Sequence, residues 1–164
     1  ESEEQVRALG RELADNNSFL FLGRHVGYPV ALEGALKLKE IAYTFTEGFA
    51  AGELKHGPIA LVDEGEPVVF IVPPQRGRNV LHAKVISGIE EVKARGAYII
   101  AVAEQGDPDV ERYADVVFWR PACPTLMSPL LDVVPLQLFA MDMAKLKGYD
   151  VDKPRNLAKS VTVE

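Results

Sequence analysis

The chain has 164 residues, of which 48% are hydrophobic and 26% are charged, and its formal net charge is −6. These values are ordinary for one soluble globular domain. Because the acidic residues are spread along the chain and no basic stripe is present, the composition argues against a nucleic-acid-binding module. It leaves room for a small anionic ligand, which needs only local positive charge.

Three further features bear on membrane insertion, the redox compartment and whether the chain is part of a longer protein. No apolar run approaches about 18 residues, so we expect no membrane-spanning segment. The single cysteine, Cys123, cannot form an internal disulfide and favours a reducing compartment such as the cytoplasm. The opening residues, ESEEQVRALG, contain neither an apolar signal segment nor an initiator Met, so we expect the chain to be part of a longer protein.

Apolar runs and helical patterns alternate along the chain. The runs are continuous, as expected for strands of a parallel sheet that is covered on both faces. The predicted strands are SFLFLG (18–23), PVVFIVP (67–73), AYIIAVA (97–103) and DVVFWR (115–120). The predicted helices span 2–15, 28–43, 79–95 and 128–147, the last with a kink at Pro135.

This order predicts an α/β fold, a three-layer sandwich in which helices flank a mainly parallel, doubly wound, flavodoxin-like sheet. The whole chain, 1–164, forms one domain that ends in a tail at 149–164. Ligands of such folds bind beyond the carboxyl ends of the strands, near the topological switch point.

The helix ALEGALKLKE carries ionisable residues on one side. Glu33, Lys37 and Glu40 fall within an arc of roughly 60° on a helix of 3.6 residues per turn. One interpretation is a solvated face with an i,i+4 ion pair. The other is a carboxylate and an amine tuned for proton transfer, because the first turns of this helix are expected to point at the ligand crevice.

Two loops at predicted strand ends are candidates for binding phosphate, but neither contains a Ser or Thr. They are GRHVGYP (23–29) and PPQRGRN (73–79). We interpret His25 as a surface loop residue. Arg76 and Arg78 provide charge that attracts an anion, although paired arginines in exposed loops are common.

Two other reactive side chains are interpreted as structural. His82 lies inside a predicted helix, and Cys123 lies between two prolines with no histidine nearby in the sequence. The chain contains no cysteine or histidine motif with metal-ligand spacing, so we expect no metal site.

The segment GELKHGP (52–58) places His56 beside a turn between two glycines. A lone histidine is more often structural, but the glycines let the backbone approach another surface closely. In the tail, Lys159 is the only basic residue after Arg155. A partly desolvated lysine is able to form an imine with a sugar carbonyl, although composition alone does not show that it does.

Taken together, these segments resemble a known family. LFLGRHVGYPVALEGALKLKEIAYTFTEGFAAGELKHGPIALVDEGEPV is similar to the second sugar-isomerase (SIS) domain of the glucosamine-6-phosphate synthase family, and VPLQLFAMDMAKLKGYDVDKPRNLAKSVTVE is similar to its C-terminus. The resemblance implies a longer chain with a glutaminase domain and a first SIS domain. That enzyme converts fructose 6-phosphate and glutamine to glucosamine 6-phosphate and glutamate, without a metal or organic cofactor, as a homodimer.

The resemblance also implies roles for single residues. Glu40 matches the glutamate that shuttles a proton between C1 and C2 of the open-chain sugar. Lys159 matches the lysine that forms an imine with the ketose, and Ala158 lies beside it in the substrate-binding segment. His56 matches a histidine that assists ring opening and is donated by the neighbouring subunit.

Two more residues have implied roles: Lys37 lies close to the sugar hydroxyls, and Glu33 is its acidic partner. The family's phosphate-binding Ser, Thr and Gln residues belong to the first SIS domain and have no equivalent here. We therefore expect the isolated chain to fold and dimerise but to be nearly inactive. The alternatives are another SIS-superfamily sugar-phosphate isomerase or deglycase, and a non-catalytic SIS module that senses sugar phosphates.

Overall fold

The computed structural model describes residues 2–76 and 79–157, and it confirms the predicted α/β fold. Five parallel strands form one sheet in the order β2-β1-β3-β4-β5. The strands are β1 (Ser18–Gly23), β2 (Phe45–Ala50), β3 (Pro67–Ile71), β4 (Tyr98–Glu104) and β5 (Val116–Arg120). The strand order reverses between β1 and β3, which is therefore the topological switch point.

In the described residues, one α-helix precedes β1, three lie between strands and one follows β5. They are α1 (Ser2–Glu12), α2 (Gly27–Lys37), α3 (Asn79–Lys93), α4 (Pro108–Tyr113) and α5 (Ser128–Leu146). Three short 3₁₀ turns lie at Leu54–His56, Pro58–Leu61 and Thr125–Met127. The predicted helices agree with these bounds to within a few residues, except the second. Its α-helical part ends at Lys37, and the chain continues as a π-helical turn over Leu38–Ala42.

Each face of the sheet packs against its own set of helices. Phe19 and Phe21 of β1 belong to the core cluster on the α1, α2 and α5 side, whereas Leu20 and Leu22 belong to the cluster on the α3 and α4 side. Successive side chains of a strand point to opposite faces, so burial on both faces requires an unbroken apolar run. This requirement is why the four continuous runs predicted strands correctly.

The sequence reasoning missed β2. Its residues, FTEGFA, form an edge strand in which Phe45 is 69% exposed while Thr46 is buried. An edge strand that is covered on one side needs no continuous apolar run, and the glycine at position 48 weakens the pattern further.

Helix α5 continues through Pro135, so this proline does not end the helix, and the kink expected there stays a prediction. By length and composition, Thr125–Leu146 would be able to cross a membrane, in contrast to the expectation from apolar runs alone. Its buried residues, among them Leu136, Phe139 and Met143, belong instead to the core on the α1 and α2 side. The core helix of a soluble protein can have the same length and hydropathy, so these two properties are weak evidence for a membrane span.

Candidate active site

Helix α2 starts at the carboxyl edge of the sheet and ends at the amino edge. At its start the backbone packs so closely that a Cβ atom on Gly23 would lie 2.1 Å from the Gly27 carbonyl oxygen. Near its end, Thr46 Oγ1 at the beginning of β2 donates a hydrogen bond to the Ala35 carbonyl (2.6 Å). The residues that follow Ala35 therefore lie at the amino edge.

Lys37 is the centre of a charged group at this edge. Its Nζ lies 2.5 Å from Glu40 Oε2 and 3.6 Å from Glu33 Oε1. The hydrogen bond to Glu40 raises the pKa of Lys37 above its ordinary value against the opposing effect of partial burial, and the Glu33 charge adds to the rise. Lys37 is consequently a fixed cation, held between two carboxylates that solvent reaches.

Glu40 lies on the π-helical turn, which is anchored by the buried Leu38 and Ala42 on either side of it. Turns of this type are rare and are found frequently at functional sites. The turn is thus held to the core through these two neighbours, whereas the carboxylate of Glu40 is partly exposed.

The expected ligand crevice at the switch point is present as a separate cavity of about 300 Å³. It is lined by His25, Pro73, Pro74, Arg76, Leu81, Thr125 and Leu126. The prediction that Glu33, Lys37 and Glu40 lie together is confirmed, but the expectation that they face this crevice is wrong. Since α2 packs antiparallel to the strands and is roughly 16 Å long, it carries Lys37 and Glu40 away from the carboxyl edge.

Side chains at the carboxyl edge are held by internal contacts. Arg76 pairs with Glu104 and donates a hydrogen bond to the Cys123 carbonyl, so its charge is already balanced there. His25 is exposed in the loop after β1, in agreement with its interpretation as a surface residue. Arg78 lies outside the described residues.

His56 is exposed at the carboxyl edge, beyond the end of β2, and its Nδ1 lies 2.8 Å from Glu53 Oε2. The sequence reasoning did not assign Glu53 to this pair, although its spacing of three residues from His56 was the available signal. Gly57 has φ +147°, a conformation that requires glycine. Lys55 pairs with Glu91 on α3 (2.6 Å), which gives it a structural role.

His82 is buried, and its Nε2 lies 2.7 Å from Asp107 Oδ2. Asp107 also caps α4 by accepting hydrogen bonds from the backbone of Asp109 and Val110. His82, Asp107 and Asp109 offer ligand atoms within 4.8 Å of one another, close enough to hold a metal ion. Since capping and hydrogen bonds already engage both carboxylates, the group is accounted for as a structural network.

The described part of the tail returns to the end of the π-helical turn. The guanidinium of Arg155 lies 4.0 Å from the centre of the Tyr43 ring, and Lys147 Nζ donates a hydrogen bond to Thr44 Oγ1 (2.8 Å). Ala158 and Lys159, both predicted site residues, lie outside the described residues.

The comparisons with known proteins agree with this fold. The family model of the SIS domain matches residues 12–147. Glutamine–fructose-6-phosphate aminotransferase [isomerizing] from Corynebacterium glutamicum is 65% identical over 164 residues, which is 100% of this chain and 26% of that protein. The protein of the same name from Streptomyces coelicolor is 64% identical over 159 residues, covering 97% of this chain and 26% of its own length.

Among solved structures, the C-terminal domain of glucosamine-fructose-6-phosphate aminotransferase from Francisella tularensis is 37% identical with a TM-score of 0.82. The match covers 93% of this chain and 42% of that one. The chain thus spans about a quarter of the length of the curated relatives it matches. Both its fold and its sequence place it in one family: the chain belongs to the SIS domain family.

Proposed function

We propose that the chain is the isomerase domain of a glutamine–fructose-6-phosphate aminotransferase that forms glucosamine 6-phosphate in the cytoplasm. The observation that carries this proposal is the 65% identity to proteins of that name over all 164 residues. The glutaminase domain and the first SIS domain belong to other parts of the same protein in this proposal. They supply the ammonia and the phosphate-binding residues.

Glu40 is the base in the proposed reaction. Its carboxylate removes a proton from C1 of the ketose and returns it to C2, which interconverts ketose and aldose. A side chain in this position typically contributes about 10²–10⁴-fold to the rate. The adjacent cation of Lys37, kept protonated by Glu40 and Glu33, donates hydrogen bonds to the sugar hydroxyls.

Lys159 is the proposed imine-forming residue, with Ala158 beside the substrate. The amine attacks the C2 carbonyl of fructose 6-phosphate, and the adduct loses water to give the imine. Ammonia then adds at C2 and displaces the lysine amine, so that the proton transfer by Glu40 gives the amino sugar and Lys159 is free again. Arg155 packs on Tyr43, three residues after Glu40 in the sequence. Four residues of extended chain span at most about 14 Å, so the reach of Lys159 from Arg155 is short.

A homodimer is part of the proposal because His56 and Glu40 lie at opposite edges of the sheet. Residues Tyr28, Leu32 and Leu36 form an exposed apolar stripe on α2, and Phe45 is exposed at the start of the edge strand. Contiguous exposed apolar surface is typical of interaction sites. A partner that covers this stripe is able to bring its own His56 to the Glu40 site.

The Glu40→Gln variant of the complete enzyme tests the proposal. Because glutamine keeps the size but cannot accept the proton, we expect kcat for glucosamine 6-phosphate formation to fall by about 10²-fold or more, with little change in KM for fructose 6-phosphate. Glu111→Gln, on the exposed surface of α4, is the matched control and should keep its activity. Turnover of Glu40→Gln within a factor of about two of the unchanged enzyme would contradict the role of Glu40.

A further inference from the structure

Tyr43 has an unusual backbone conformation where the π-helical turn ends. Its φ is 51° and its ψ is 34°, in the left-handed region. A bulky residue rarely adopts this conformation, which costs on the order of 1 kcal/mol or more. Other contacts therefore hold Tyr43 in place, and they come from the tail.

Three interactions converge on the Tyr43 side chain. The backbone N–H of Arg155 donates a hydrogen bond to Tyr43 Oη (2.7 Å). The guanidinium of the same arginine lies over the Tyr43 ring, 4.0 Å from its centre. The ring of Tyr149 meets the Tyr43 ring edge to face, with centres 4.7 Å apart. These contacts fix the position of Arg155 relative to Tyr43.

A second contact joins the residue after Tyr43 to the end of α5, from which the tail begins. Lys147 Nζ donates a hydrogen bond to the buried Thr44 Oγ1, and burial lowers the pKa of Lys147. Arg155 itself is exposed and is not part of either hydrophobic core cluster. Its contacts therefore do more to place the tail than to stabilise the core.

We propose that Tyr43 and Arg155 form a clamp that positions Lys159 relative to Glu40. This inference rests on the proposed function, in which Lys159 forms the imine and Glu40 moves the proton. Tyr43 follows Glu40 by three residues, and Arg155 precedes Lys159 by four. Short chain segments therefore connect the Tyr43–Arg155 contact to Glu40 on one side and to Lys159 on the other.

Both residues are positioning residues in this scheme, because they act through other side chains. Loss of the clamp leaves the groups that perform the chemistry intact but lowers the fraction of molecules in which they are aligned. Misalignment of about 1 Å can reduce a rate by a large factor. The expected effect is thus on imine formation and kcat rather than on the KM for fructose 6-phosphate.

Variants of the complete enzyme test the clamp. Tyr43→Phe removes only the hydroxyl that accepts from Arg155, Arg155→Ala removes the stacked guanidinium, and Arg155→Lys keeps the charge. The matched control is Arg112→Ala on α4, where the guanidinium of Arg112 lies 5.2 Å from the Tyr113 ring centre. It removes the same type of contact away from the site.

The measurement is the rate at which borohydride traps fructose 6-phosphate on Lys159, located by peptide mass, together with kcat and KM. We expect Arg155→Ala to lower trapping and kcat by about tenfold, Tyr43→Phe by a smaller factor, and Arg155→Lys to recover part of the loss. Because the backbone hydrogen bond and the guanidinium contact are separate, the double variant Tyr43→Phe/Arg155→Ala should trap more slowly than either single variant. Arg112→Ala should trap at the unchanged rate.

Different outcomes separate this inference from the proposed function. The clamp alone is overturned if the unchanged enzyme forms its adduct on Lys159 and both Tyr43→Phe and Arg155→Ala form that adduct at the rate of the unchanged enzyme. If the unchanged enzyme forms no adduct on Lys159, the proposed function fails and the positioning role fails with it. If Arg155→Ala does not fold, the trapping rate of Tyr43→Phe tests the clamp, since this variant removes a single oxygen atom. In Tyr43→Phe the Arg155 amide should also exchange with deuterium faster than in the unchanged enzyme, because its hydrogen bond is lost.

Discussion

Glu40 and His56 lie at opposite ends of the edge strand β2. Glu40 precedes the strand on the π-helical turn, and His56 follows it in the 3₁₀ turn Leu54–His56. The six residues of β2 alone span roughly 17 Å. In one subunit, Glu40 pairs with Lys37 and His56 pairs with Glu53, so the two groups occupy separate places.

This separation predicts complementation between subunits. In the complete enzyme, a Glu40→Gln homodimer and a His56→Ala homodimer should both have low activity. A mixed dimer combines the intact Glu40 of one subunit with the intact His56 of the other in one of its two sites. When the two variant homodimers are dissociated, mixed and allowed to reassociate, we expect the mixed dimer to have about half the activity of the unchanged enzyme, because one of its two sites is intact. The measurement is glucosamine 6-phosphate formation by tagged, purified heterodimers.

The control for complementation is a mixture of Glu40→Gln with Lys37→Ala. These two changes lie on the same helix face and affect the same site, so every site of that heterodimer contains one of the two defects. If the Glu40→Gln and His56→Ala heterodimer is no more active than this control, His56 does not act across the subunit boundary.

The isolated chain of 164 residues offers a second prediction. It has two complete core clusters, so we expect it to fold. It should form glucosamine 6-phosphate at a negligible rate from fructose 6-phosphate and ammonia, because the phosphate-binding residues of the proposed enzyme lie in the other SIS domain. Circular dichroism and a product assay check this prediction. Turnover near that of a complete enzyme would show that this chain binds the phosphate itself.

The sequence predicted the features that depend on neighbouring residues. The four strands were found because both faces of the sheet are covered, and the grouping of Glu33, Lys37 and Glu40 was found because helical periodicity brings positions i, i+4 and i+7 together. The ends of α3 and α5 were also predicted, from the glycines that follow them.

Features that depend on distant parts of the chain were not predicted. The contact between Tyr43 and Arg155 joins residues 112 positions apart, and nothing in either segment alone indicates it. The π-helical turn has no sequence signature of its own, so the helix containing Glu40 was predicted as one α-helix. The direction of α2 relative to the sheet placed Glu40 at the edge opposite to the one expected.

A third prediction concerns the buried pair Arg120 and Asp132, beneath the carboxyl edge. Arg120 Nε lies 2.6 Å from Asp132 Oδ1, but the two atoms lack the geometry of a hydrogen bond. Burial raises the pKa of Asp132 to about 6, although the charge of Arg120 opposes the rise. The folded protein therefore holds a proton on Asp132 at pH values where an unfolded chain, with an aspartate pKa of about 3.9, has released it.

The contribution of this proton to stability is complete below about pH 4 and is lost as the pH rises through about 6. Asp132→Asn removes the titration. The free energy of unfolding of the unchanged protein, relative to this variant, should thus fall by about 2–3 kcal/mol between pH 4 and pH 7. Urea denaturation across this range measures the difference, with the exposed Asp152→Asn as the control. A difference that stays constant or rises with pH would contradict the raised pKa.

The last prediction compares two glycines inside helices. A Cβ atom on Gly34 of α2 would lie 2.7 Å from Leu136 Cδ1 and 2.9 Å from Phe21 Cε1, both in buried side chains. A Cβ atom on Gly88 of α3 would meet its nearest neighbour, Phe70 Cε1, at 3.8 Å, an ordinary contact. Overpacking should make Gly34→Ala less stable by about 1–3 kcal/mol, whereas Gly88→Ala should gain about 0.5–1 kcal/mol from helix propensity.

Urea denaturation of the two variants measures both effects, and each variant is the control for the other because the substitution is the same. Helix propensity favours alanine at both positions, so an opposite sign at Gly34 reports on packing alone. The contact of α2 with Phe21 and Leu136 is what holds α2 between the sheet and α5. If Gly34→Ala is as stable as Gly88→Ala, the packing of α2 against Phe21 and Leu136 is looser than the distances indicate.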